Sequence, residues 1–167
     1  MKIHSKPARC IVGAVETLMC LFLAGVLVFA AGPKLAAPAV FALAVRQYGI
    51  LPDALVNLVA IYLPWLEMSC AAAMLLIPRA RRVTLALVAG LLLLFAVAMA
   101  STLVRGIPIP CGCFGGADLG DSLGWTNVLR NLALATVALG AILLRQARVG
   151  KAGFLHLTKV RSPDLFS

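Results

Sequence analysis

Charge is what this sequence lacks. Only 13% of its 167 residues are Asp, Glu, Lys or Arg, and six of those are acidic. A soluble domain carries roughly 25% charged and about 45–50% apolar residues; here 62% are apolar and mean hydropathy is +1.02. An ordinary soluble domain is therefore excluded, and the length leaves room for one helical membrane domain with little over. Histidine is nearly absent. His4 and His156 lie in the tails, far in sequence from Cys111 and Cys113, so that pair has no obvious further ligands for a closed zinc site. There is also no internal repeat and no low-complexity segment. The net charge of +9 would suit nucleic acid, but the basic residues are segregated along the chain instead of interleaved with aromatics on a polar face. Positive-inside anchoring explains them better.

What is present is a series of long apolar runs. A short basic N-terminus (1–10) precedes a first span at 11–31, broken only by Glu16. That run is longer than the about 7–15 apolar residues of a signal-peptide core, which favours a retained span over a cleaved leader ending near Ala30. Gly32, Pro33 and Lys34 are expected to end it. Residues 38–48 predict a short interfacial helix, with Pro38 at its first position, Gly49 after its end, and Phe41, Val45 and Tyr48 turned toward lipid or bundle. Further spans are expected at 54–77, 83–104 and 126–144. Pro64 in the second frees the carbonyl of Ala60, the third carries no charge, and Trp125 suits the membrane interface just before the fourth. A basic tail, 145–167, follows. The fold class is thus all-α: an integral membrane bundle of four transmembrane helices plus one short interfacial helix.

Eleven of the fifteen basic residues fall in the N-terminus, the 78–82 turn and the tail; Lys34, Arg46, Arg105 and Arg130 lie opposite. The split makes both termini cytoplasmic and turns the 105–124 connection outward, which in a bacterial inner membrane means the periplasm.

That connection holds Cys111-Gly112-Cys113, in the Pro/Gly-rich stretch from Ile109 to Gly116. A Cys-Gly-Cys pair can close a small strained ring, and strained exposed disulfides are the exchange-competent ones. Gly112 relieves Cβ crowding in such a ring. Soft-metal binding and a merely structural pair are the competing uses; compartment and spacing favour exchange. No metal site is expected. Cys10, Cys20 and Cys70 are most simply small apolar residues, although Cys20 or Cys70 would be needed by an electron relay across the bilayer.

Polar residues within spans mark a function or a partner, because a charge at mid-membrane costs at least ~2.5 kcal/mol. Glu67 lies near the middle of the second span. Asn127, Arg130 and Asn131 follow i, i+3, i+4 spacing on one face of the fourth, directly after the cysteine connection. A polar clamp joining Glu67 to Arg130 is the simpler expectation, and a site that docks a ligand or positions the loop is the sharper one. Glu16, near the cytoplasmic edge, is expected to snorkel or to pair with Arg79 or Arg82.

Four stretches together resemble the methylamine utilisation protein MauE family, of the DoxX-like group of membrane proteins. They are Ala31-Gly32-Pro33-Lys34-Leu35, Leu63-Pro64-Trp65-Leu66-Glu67, Cys111-Gly112-Cys113-Phe114-Gly115, and Trp125 with Leu129-Arg130-Asn131. Their order covers about 9–144; the tail adds nothing to the match. The resemblance implies a role in maturing the small subunit of methylamine dehydrogenase, a periplasmic disulfide-rich chain, alongside a thioredoxin-like periplasmic partner. Expected function is then a membrane component of a thiol–disulfide pathway, with Cys111 and Cys113 as the redox pair and Glu67, Asn127, Arg130 and Asn131 in support. A non-catalytic scaffold for the partner and a transmembrane electron or small-molecule carrier are the alternatives. Membrane lipid is an expected partner and nucleic acid is not. A quinone would suit a four-helix thiol oxidase, though no single residue demands one.

Overall fold

A computed structural model describes residues 5–106 and 124–160, with side chains for 10–106 and 124–146. Five helices make up the described chain: α1 (Ser5–Ala36), α2 (Pro38–Gln47), α3 (Asp53–Leu76), α4 (Arg81–Val104) and α5 (Trp125–Val160). No strand occurs among the described residues. Within hydrocarbon a backbone must satisfy its own N–H and C=O groups, and a helix does this within one segment. Four helices are long and apolar enough to cross a membrane: Cys10–Ala36, Asp53–Leu76, Arg81–Val104 and Trp125–Gln146. The 24 residues of α3 or α4 rise about 36 Å, enough for a hydrocarbon core of about 30 Å. The protein is an all-α, multi-pass membrane protein, and the short α2 is its fifth element.

Two helix ends differ from the sequence expectation. α1 does not stop at Gly32-Pro33 but continues to Ala36. Proline inside a helix forfeits its own N–H bond, but its carbonyl still accepts, and the Ala37 N–H donates to Pro33 O at 3.0 Å. The break comes at Ala37 (φ −135°, ψ 68°), which precedes Pro38 and is pushed out of the helical region by that ring. α5 likewise runs past residue 144 and continues to Val160, taking the first part of the tail into the helix. Hydropathy marks where a chain leaves the bilayer, not where its helix unwinds.

Alternation of the four crossings puts the start of α1, the α3–α4 turn and the membrane exit of α5 on one side, here the termini side. The end of α1, α2, the start of α3, the end of α4 and the start of α5 share the other, the loop side. On the termini side, Arg145 of α5 donates to Glu16 Oε1 of α1 at 2.7 Å and to the Pro78 carbonyl of the turn. The sequence pointed instead to Arg79 or Arg82 for Glu16. Both arginines are exposed, whereas the helical continuation of α5 carries Arg145 to the bundle edge. On the loop side, Arg105 at the end of α4 donates to the Tyr48 carbonyl at 2.6 Å. This ties down the turn after α2, where Gly49 takes φ 60°, a conformation that a side chain would strain.

α4 packs chiefly on α5 and α1 on α3, with α1 also against α5 and α2 against α3. The buried face of α3 reads Val56, Ala60, Pro64, Glu67, Cys70, Ala71 and Met74, a helical stripe with one charge in it. Small residues line the contacts, among them Ala24, Ala71, Ala89, Ala135, Ala138 and Ala141, and let the backbones approach closely, as membrane helices require. Cys20 and Cys70 belong to this core as free thiols, while Cys10 is exposed, which matches the apolar role expected of the first two. Leu18, Phe22, Phe29, Tyr62, Trp65, Leu94, Leu129 and Leu143 cover the outside, a surface suited to acyl chains. Hydroxyls inside the spans bond back to their own helices: Thr84 to Ala80 O, Thr102 to Met99 O and Thr136 to Ala133 O.

Candidate functional site

Between the helices, toward the loop side, lies a cavity of about 350 Å³ lined by residues of all five helices, among them Lys34, Phe41, Glu67, Phe95, Arg130 and Asn131. Its chemical centre is an ion pair. Lys34 Nζ donates to both carboxylate oxygens of Glu67, at 2.7 Å and 2.9 Å, and the two side chains are 3% and 2% exposed. The ammonium also sits 5.3 Å from the ring centroids of both Phe41 and Phe95, within cation–π range.

Local structure explains how a lysine at the end of a span comes to point inward. Side chains on a helix lean toward its N-terminus, so from the last turn of α1 the Lys34 stem runs back into the membrane. A lysine near an interface ordinarily snorkels out to water. Here Glu67 waits on the inner face of α3, and a charge pair replaces hydration. The helical continuation of α1 through Pro33 makes this reach available; a helix ending at Ala31 would have left Lys34 in the outer connection.

The sequence expected Arg130 as the partner of Glu67. The structure gives both carboxylate oxygens to Lys34 instead, because α1, which carries Lys34, packs directly on α3, whereas α5 packs chiefly on α4. Arg130 nonetheless lines the same cavity. So does Asn131, which is 6% exposed and donates from Nδ2 to the Asn127 carbonyl at 3.0 Å, one turn back on α5. Glu67, Arg130 and Asn131, picked out from two distant stretches, therefore converge on one cavity, whereas Asn127 is not among its lining residues and only accepts the Asn131 bond through its backbone oxygen. Cys111 and Cys113 lie outside the described residues. Among the described residues no group of three or more His, Cys, Asp or Glu side chains could hold a metal ion.

Lys34 is the site residue that sequence reasoning missed. On the sequence it reads as an outer-loop cation, since Gly32-Pro33 before it has the pattern of a helix end. The available signal was a charge on each of two apolar segments, which in hydrocarbon must find one another or pay desolvation alone.

Chemically, the cavity offers apolar and aromatic walls, a neutralised acid–base pair, one further positive side chain and a buried amide. Such a mixture of apolar surface and few polar groups is typical of small-molecule sites.

Comparison with known proteins gives a consistent picture. Residues 12–144 match the family described as methylamine utilisation protein MauE. Methylamine utilization protein MauE of Methylophilus methylotrophus is 42% identical over 120 residues, which cover 71% of this chain and 63% of that protein. Its counterpart in Paracoccus denitrificans is 40% identical over the same shares, and that of Paracoccus versutus 38% over 147 residues, 87% of this chain and 78% of that protein. The match thus spans a little under two thirds of the first two relatives. No solved structure matches. The matched region takes in nearly all of the four membrane-crossing helices and every residue named in the cavity, and the chain belongs to the methylamine utilisation protein MauE family.

Proposed function

We propose that this protein is the inner-membrane component of a periplasmic thiol–disulfide pathway in methylamine utilisation, supporting maturation of an amine dehydrogenase small subunit. Cys111 and Cys113 are its exchanging pair, and a thioredoxin-like periplasmic protein is its immediate partner. The carrying observation is one of connectivity. Both cysteines fall between the end of α4 and the start of α5, in the connection opposite the basic chain ends, and the positive-inside rule assigns that side to the oxidising compartment. The family name supplies the methylamine context.

Exchange proceeds in two displacements. One thiolate attacks a disulfide sulfur to form a mixed disulfide and release a thiolate; a second thiolate then resolves it, and two electrons have moved from dithiol to disulfide. Of the supporting polar set, Asn127, Arg130 and Asn131 lie on α5, the helix that follows the cysteines in sequence, and Glu67 lies on α3 and lines the cavity with Arg130 and Asn131.

The test is the double variant Cys111→Ser/Cys113→Ser in cells producing the dehydrogenase. Insertion and abundance should be unchanged, since neither side chain is needed to span the bilayer, while the client should fail to mature. Either single variant should trap a mixed disulfide with the partner. Normal maturation in the double variant would remove the redox role and leave a scaffold.

A further inference from the structure

We propose that the cavity around Lys34, Glu67 and Asn131 is a binding site for a lipid-soluble quinone. Access and walls come first. The lining extends to Leu94, which lies in the middle of α4 and is 62% exposed on the apolar outer surface, and is otherwise dominated by Phe41, Phe95 and leucines. Its occupant therefore enters from the bilayer and is mostly apolar. The volume, about 350 Å³, lies at the small end of the roughly 300–1,000 Å³ usual for ligand sites. That suits one substituted ring and the beginning of a tail better than a two-chain lipid.

Charge narrows the class. Lys34 and Glu67 cancel within their ion pair. A charged ligand would lose its hydration against apolar walls, and a neutral ligand rich in acceptor oxygens is favoured. Hydrogen bonding narrows it further. Asn131, nearly buried, makes a single side-chain bond among the described residues, the one to the Asn127 carbonyl. An amide has two N–H donors and an acceptor oxygen, so one N–H and Oδ1 remain for the cavity. Lys34 has three N–H donors, and Glu67 takes two of them. A hydrocarbon chain would leave these groups unanswered at a cost. A ring carbonyl accepts from the Asn131 N–H, and the hydroxyl of the reduced ring donates to its Oδ1, so one side chain serves both redox forms. The rings of Phe41 and Phe95 supply flat apolar surface.

As an electron acceptor the quinone rests on the thiol–disulfide reading above. Closing the Cys111–Cys113 dithiol to a disulfide forms one S–S bond and releases two electrons and two protons. The quinone takes up both at its ring oxygens to become the quinol, and the oxidised pair can then oxidise a partner.

The experiment uses the full chain purified in detergent and ubiquinone-1 as probe, with binding followed by titration calorimetry. Saturable 1:1 binding is expected, weakened at least tenfold by Asn131→Leu and by Ala98→Phe, which fills the cavity wall, and unaltered by Cys111→Ser/Cys113→Ser. Should both cavity variants fail to fold, photolabelling of the wild-type chain by an azidoquinone decides: label on peptides holding Phe95 or Asn131 supports the site, and label elsewhere overturns it. Absence of saturable binding, or displacement of ubiquinone-1 equally well by dodecane, also overturns it. Quinol formation by the prereduced protein, lost in the double cysteine variant, supports the acceptor role. Binding without quinol formation keeps the site and removes that role; thiol exchange with a partner but no quinone binding removes the site and keeps the thiol chemistry.

Discussion

Replacing Glu67 by Met leaves the Lys34 ammonium 3% exposed in the wild-type packing with no carboxylate to answer it. Breaking a buried pair from one side costs roughly 3–5 kcal/mol. Insertion scales set a similar lower figure, about 2.5–3.5 kcal/mol for a lone charge at the helix centre. The rings of Phe41 and Phe95 do not make up the difference, since each cation–π contact is worth about 0.5–2 kcal/mol and is already present in the wild type. The expected loss is therefore about 3 kcal/mol or more, at least a hundredfold in the unfolding equilibrium. Lys34→Met should cost about as much, by stranding the carboxylate. The double variant should lie within about 1 kcal/mol of wild type, because two thioethers of similar length fill the volume without burying charge. Unfolding in mixed micelles of dodecylmaltoside and SDS, followed by far-UV circular dichroism, gives the three differences, and the cycle isolates the coupling. If the double loss equals the sum of the singles, Lys34 and Glu67 do not hold the bundle together as a pair.

Arg145→Leu strips Glu16 and the Pro78 carbonyl of a shared donor. Because Arg145 is 21% exposed, screening reduces the loss to about 1–3 kcal/mol, smaller than at Glu67 in the same micelle assay; a larger loss than Glu67→Met would invert the ranking of the two clamps. Orientation is checked in a cysteine-free background carrying one cysteine at Ser122 or Ala80. An impermeant thiol reagent added to intact cells should label only the Ser122 position, and labelling of Ala80 alone would put the cysteine connection in the cytosol.

Why Glu67, Arg130 and Asn131 were legible in the sequence, and Lys34 was not, has a physical explanation. A polar residue deep inside an apolar run stands out whatever the fold, because its cost in hydrocarbon depends on depth along the helix alone. Lys34 sits at the edge of a run, where a cation is unremarkable, and only its direction made it part of the site. Direction follows from whether α1 passes through Pro33, and local pattern at Gly32-Pro33 argued for a stop. The same weakness applied to Glu16: the sequence pointed to a snorkelling side chain or a pair with Arg79 or Arg82, whereas it is 1% exposed and its partner came from a segment 129 residues away.

By itself, then, the amino-acid sequence determined the solvent, the number of crossings, the short helix at Pro38 and the family. These depend on transfer free energy summed over some twenty residues and on motifs local in the chain. Tertiary structure alone decided which charges meet. Pairing depends on the relative depth and rotation of separate helices, and a shift of one residue turns a side chain by about 100° around its axis. Packing of α1 on α3, and of α5 on α4 and α1, aimed Lys34 at Glu67, drew Arg145 to Glu16 and left a buried amide facing an apolar cavity.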